Sequence, residues 1–239
     1  GPACGADDDV QVYALRAVVL LCSLIGAGVL MVGVATVSWG QSKPSEEASA
    51  DVSALIEDCM RWGRKAFEAE EYLVAFGHFR DVIKLRPRNK KARYHAAMCL
   101  LELEEDRAAM AYLLSAGEGE DGLLDATREF ALLAYQRGNV RLAGEHAERA
   151  LEEGLSDVRL RAVRADFRSR EKQGSTDDDV EWLLRRTVGS DLERVARAHV
   201  LIEREDFAGA KGLLHAVSST SRYRRLASLY EIELLWERG

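Results

Sequence analysis

Between residues 56 and 224 one pattern of small, large and turn-forming residues returns about every 34 positions. With the frame set by Pro87, the units run 56–89, 90–123, 124–157, 158–191 and 191–224. The first carries Cys59, Trp62, Gly63, Tyr72, Ala75, Phe79 and Pro87. The third is nearly as clear, with Ala131, Ala134, Tyr135, Gly138, Asn139, Ala143, Ala147, Ala150 and Leu151. The second keeps Ala97, Ala109 and Ala116 beside Tyr94 and Leu113, and the fifth keeps Ala198, Asp206, Phe207, Ala210 and Leu214. Small residues at recurring places let backbones approach closely enough to pack at crystal-like density. A period of this length describes a stack in which each unit buries its apolar face only against its neighbours.

The fourth unit departs from the pattern. Its first segment, 158–171, is heavily charged, and GSTDDD (174–179) replaces the tight turn. Ser175 or Thr176 followed by three aspartates predicts a helix start there, since acids favour a helix N-terminus. Residues 224–237 predict a last helix that caps the stack. Ala, Leu, Glu and Arg dominate and the chain has 3 Pro, so helix is expected throughout and no strand.

The spacing Cys59-x-x-Trp62-Gly63, Tyr72, Ala75-x-x-x-Phe79, Pro87 resembles the tetratricopeptide (TPR) repeat family, and the likeness covers roughly residues 53–238. The resemblance implies an all-α TPR α-solenoid of about 4–5 antiparallel helix pairs with a C-terminal capping helix. The first helix of each unit then lines a concave surface that binds other proteins. Carried over by phase, the partner-binding candidates are Met60, Arg64, Phe67, Tyr94, Met98 and Tyr135. Met, aromatic and charged side chains of this kind suit a peptide or a partner helix. Packing against the capping helix or a neighbouring repeat is the competing role for each. Some TPR co-chaperones grip acidic tails with basic and amide side chains. The matching positions here are Met60, Arg64, His95, Asp125 and Glu129, and the two acids argue against such a ligand.

Upstream, residues 17–39 contain no charge. As a helix they would span about 34 Å, slightly more than a hydrocarbon core of about 30 Å. Arg16 marks one end and Trp39 the other, where indole favours the interface. A secretory signal has a shorter apolar region, and an all-round apolar helix has no place in a small helical stack. The reading is a short N-terminal tail (1–15), one transmembrane helix (16–39), a polar linker (40–52) and the repeat domain (53–238). Cys22, Gly26 and Gly33 fall near one face, where small residues admit a second helix. The chain opens Gly1-Pro2, which fits a removed presequence as well as a protease scar.

The net charge of -7 gives no general attraction for nucleic acid. The five histidines sit on separate predicted helices without His-x-x-x-His or Glu-x-x-His spacing, and no CxxC pair occurs among the 4 Cys. No phosphate loop or nucleophile elbow is present. The sequence therefore predicts no enzyme, no cofactor, no metal site and no small-molecule substrate. The basic run Lys84, Arg86, Arg88, Lys90, Lys91 and Arg93 reads as a solvated turn or as a surface for lipid headgroups or an acidic partner. The function expected is a single-pass, membrane-anchored interaction scaffold in a bacterial inner membrane or an organelle membrane. It serves either as an accessory or structural subunit of a membrane complex or as an assembly factor or receptor binding clients transiently. Membrane lipid would be met through residues 17–39.

Overall fold

The computed structural model describes residues 46–119, 121–170 and 177–237. Among them are eleven α-helices and no strand. They are α1 (Glu46–Glu68), α2 (Tyr72–Leu85), α3 (Lys90–Glu102), α4 (Asp106–Gly117), α5 (Leu124–Gln136), α6 (Val140–Glu152), α7 (Val158–Arg170), α8 (Asp178–Arg185), α9 (Asp191–Glu203), α10 (Phe207–His215) and α11 (Arg224–Glu237). Each helix packs on the next in chain order, and α7 also packs on α9. The first ten form five hairpins. The first helices of units two to five start at 90, 124, 158 and 191, steps of 34, 34 and 33.

Each hairpin turn closes the same way where it is described. Glu71 N–H donates to Ala66 O, Glu105 to Leu100 O, Asn139 to Ala134 O and Asp206 to Leu201 O, at 2.8–3.0 Å. These six-to-one bonds satisfy carbonyls left over at the helix end and require a left-handed residue just before the donor. That residue is Glu70 (φ 62), Glu104 (φ 60), Gly138 (φ 84) or Glu205 (φ 62). Glycine serves once and glutamate three times. Side chains cap the following helices: Asn89 accepts from Ala92 N–H, Asn139 from Leu142 N–H and Asp206 from Gly209 N–H.

The helices touch through the small residues. Ala75 and Phe79 are fully buried in the first unit. A Cβ on Gly63 of α1 would lie 2.8 Å from the Phe79 ring, so glycine there is what admits the ring. Gly144 of α6 does the same for Phe167 of α7, where a Cβ would lie 2.1 Å from the ring.

Several expectations need correction. Trp62, a motif position of the first unit and so a candidate for its core, is 51% exposed. Its counterparts one and two units on, Ala96 and Phe130, are buried against the preceding unit's side chains, Phe79 and Leu113 respectively. Trp62 lies under the Lys65 ammonium, 4.8 Å from the ring centroid. The linker expected over 40–52 is helical from Glu46 onward. The cap of α8 is Asp177, which accepts from Asp179 and Val180 N–H; Ser175 and Thr176 lie outside the described residues. No helix among the described residues is long and apolar enough to cross a membrane. The 16–39 helix and the Cys22, Gly26 and Gly33 face lie outside the described residues.

Candidate functional site

The 34-residue step puts equivalent side chains of successive first helices in rows across one face of the stack. One row is Arg64, Met98, Leu132, Asp166 and His199, and the row a turn later is Glu68, Glu102, Gln136, Arg170 and Glu203. Burial grows along the first row. Arg64 is exposed and Met98 half-buried, whereas Leu132, Asp166 and His199 are buried. The cover over the far end is α11.

Helix α11 packs on α10 and α9 and reaches α7 through Tyr230. Leu226, Tyr230 and Glu233 share one of its faces at helical spacing. The Tyr230 hydroxyl donates to Asp166 Oδ2 at 2.9 Å, and the Tyr135 hydroxyl donates to the same oxygen. His199 Nδ1 lies 2.6 Å from Asp166 Oδ1. The His199 and Tyr230 rings are 4.7 Å apart, and the Arg170 guanidinium stands 5.3 Å over the Tyr230 ring. Tyr223, just before α11, meets Tyr135 at 6.4 Å. The other face of α11 is apolar and exposed: Leu229, Ile232, Leu235 and Trp236, the last 83% exposed.

Burial lowers the basicity of His199, but the Asp166 carboxylate, helped by Glu203 and Glu233, outweighs it and holds the imidazole up at about 10. Burial pushes the Tyr135 and Tyr230 hydroxyls well above the usual phenol range, and the Asp166 charge adds to this, so both act as donors. Burial would raise Asp166, yet His199, Arg170 and the Tyr135 hydroxyl keep it below its ordinary value.

Of the six candidate partner-binding residues, the structure brings four to the open end of this face. Arg64 is exposed, and Phe67, Tyr94 and Met98 are half-buried. The Phe67 ring packs edge-on against Tyr72 at 5.3 Å, and Tyr94 sits 5.6 Å from His95. Burial lowers the basicity of His95, and the Arg64 and Lys91 charges nearby lower it further. Met60 is 9% exposed and belongs to the first core cluster. Tyr135 is fully buried, which corrects its expected place on the open surface. Its competing role, packing against the last helix's segment, is the one the contacts describe.

The charged segments of the fourth unit answer each other. Arg161 and Arg164 donate to the two oxygens of Asp179, and Arg168 donates to Asp177 and Glu148. They flank a cleft of about 690 Å³ in which Trp182 lies between Arg161 and Arg186, 4.4 and 5.2 Å from the ring. These arginines are therefore matched within the chain. In the basic run after α2, Lys84 pairs with Asp81, Lys90 with Asp121, and Arg93 with the Pro87 carbonyl.

Sequence reasoning missed the buried network. It judged the histidines scattered and saw no ligand set, but His199 meets Glu203 one helical turn on and Glu233 from α11. The spacing His199-x-x-x-Glu203 was a visible signal, as was the row that places Asp166 beside His199. Glu233 has no sequence signal, because its place depends on where α11 comes to rest.

Five helix hairpins in a 34-residue step, with glycine at 63 admitting phenylalanine at 79, reproduce what the first unit's motif implied. The fold is tetratricopeptide-like. Among solved structures, the chain is similar to the TPR domain of P58(IPK), at 15% identity over 83% of this chain and 72% of that one, with a TM-score of 0.41. It is also similar to a tetratricopeptide repeat protein from Parabacteroides merdae ATCC 43184, at 17% identity over 77% and 76%, with a TM-score of 0.41. No protein-family model matches the chain, and no curated protein sequence does.

Proposed function

We infer that this chain is a protein–protein interaction scaffold that receives a helical segment of a partner on the first-helix face of its first two units. One observation carries this reading: the same face, three units further along, already holds a helix, α11. The row that is buried beneath α11 continues to the open end as Arg64 and Met98, with Glu68 and Glu102 one turn on and Phe67 and Tyr94 beside them. A bound helix there would meet an apolar strip of Met98, Tyr94 and Phe67 between charged margins, the pattern of helix-in-groove recognition. Large anchors of this type supply most of an interface's energy.

The uncharged stretch 17–39 supports a placement at a membrane, as an accessory subunit of a membrane complex or as an assembly factor. The test is co-purification in mild detergent followed by native electrophoresis and mass spectrometry. A Tyr94→Ala/Met98→Ala variant with unchanged circular dichroism should lose its partner. A variant with Lys84, Arg86 and Arg88 reversed to glutamate should keep it. The opposite result would move the binding surface to the turn after α2. Partners at fixed stoichiometry would mark a subunit, and many at low stoichiometry an assembly factor.

A further inference from the structure

We propose that His199, Glu203 and Glu233 form a binding site for a divalent transition-metal ion of the zinc class, which fastens α11 onto α9. The carboxylate oxygens of the two glutamates and a ring nitrogen of His199 lie within 4.8 Å of one another. Nε2 is 3.4 Å from Glu203 Oε1 and 3.8 Å from Glu233 Oε1. Two ligands on a tetrahedral ion with bonds of about 2.0–2.1 Å stand roughly 3.3 Å apart. The two separations from His199 are thus close to what such an ion imposes, and the two carboxylates lie within 4.8 Å of each other.

A second observation points to a ligand. His199 is fully buried, and no hydrogen bond of normal geometry reaches its Nε2, nor its Nδ1 or the Asp166 Oδ1 beside it. A buried polar nitrogen ordinarily has a partner. Here it faces two carboxylates at the rim, whose side chains are 28% and 35% exposed and leave an approach from solvent.

The surroundings fit the metal as well as the ligands do. Nδ1 faces Asp166 Oδ1 at 2.6 Å, so the second ring nitrogen is the one turned toward the two glutamates, as in carboxylate–histidine–metal arrangements. Asp166 is itself fixed by the Tyr135 and Tyr230 hydroxyls. A proton on Nε2 is the ion's competitor. Imidazole with carboxylates suits zinc and its neighbours better than magnesium or calcium, which prefer oxygen alone. Two of the ligands come from α9 and the third from α11, so occupancy is coupled to the seating of α11 on the face.

The test uses the full chain in detergent after treatment with a chelator and needs no partner, so its outcome is separate from the partner-binding reading. ZnCl2 should raise the midpoint of thermal unfolding saturably, by several degrees, while MgCl2 leaves it unchanged. CoCl2 should give the visible absorption of tetrahedral cobalt, and ZnCl2 should abolish it. Zinc should also slow proteolytic release of α11. Glu203→Gln and Glu233→Gln keep the size of the rim side chains, and each should weaken the zinc response at least tenfold. No zinc shift and no cobalt band in the parent protein would overturn the site. So would a zinc shift that survives in the Glu203→Gln/Glu233→Gln variant, because the ion would then be held elsewhere.

Discussion

Tyr230 and Asp166 are 64 positions apart in the chain, and the hydroxyl of one donates to the carboxylate of the other at 2.9 Å, away from solvent. The contact joins α11 to α7 and sits where Tyr135 and His199 also converge. Replacing Asp166 with Ala leaves three buried polar partners without their shared acceptor. The expected cost is about 3–5 kcal/mol, the range for breaking a buried charge pair. Tyr230→Phe removes one donor and should cost about 1 kcal/mol. Urea unfolding measures both, and equal stabilities for the two variants would refute the central place of Asp166.

The two glycines that admit aromatic rings offer a second check. Gly63→Ala and Gly144→Ala each force a methyl against a buried ring, with less room at Gly144. Overpacking of this kind costs about 1–3 kcal/mol, and Gly144→Ala should be the worse. Gly77→Ala and Gly212→Ala, where an added Cβ meets nothing, should be neutral or slightly stabilising. Thermal unfolding of the four variants separates the groups; equal effects at Gly63 and Gly77 would contradict the helix contact.

The helix hairpins were legible because small residues recur with the stack's own period. Ala75, Ala109, Ala143 and Ala210 are all fully buried. Trp62 was misplaced because a residue type names a position in the repeat and does not disclose what covers it. Tyr135 was misplaced because the repeat phase gives the face a side chain occupies and says nothing of what lies on that face. Asp166 and His199 are one repeat step apart, a relation the sequence contains but that by itself marks no network. What turned it into a buried network is the path of α11, which is set by tertiary packing after the repeat has ended. The start of α1 was set too late because Ser, Glu and Asp in 45–51 read as linker composition, although they are also good helix-start residues.

Three hairpin turns carry glutamate where the backbone is left-handed. Non-glycine residues in that region pay a steric cost that glycine avoids. Glu70, Glu104 and Glu205 are exposed. Changing each to Gly should stabilise the fold by about 0.5–1 kcal/mol, with the effects adding because the turns are far apart. The same change at Glu153, which has ordinary backbone angles (φ -75), should destabilise slightly. Lower unfolding midpoints for all four variants would show that the turns are not the ones described.

Stability at acid pH should depend on Glu193. Burial would raise its pKa, but the Gly189 N–H, the Arg186 guanidinium and the Ser190 hydroxyl and N–H together hold it below the ordinary value of 4.5. Arg186 Nε lies 2.7 Å from its Oε1, and the Gly189 N–H lies 2.9 Å from Oε2. A carboxyl depressed by folding is more acidic in the native chain than in the unfolded one, so the unfolded state takes up the proton first as pH falls. The stabilisation is therefore fully present above about 4.5 and is lost as pH falls below that value through the folded pKa. Glu193→Gln removes the charge and weakens the reciprocal cap with Ser190, at a cost on the order of 1 kcal/mol near neutrality. Unfolding of the parent and the variant should differ most above pH 5 and converge toward pH 3. A gap that stays constant across that range would show that the carboxylate's charge contributes nothing to holding α9 in place.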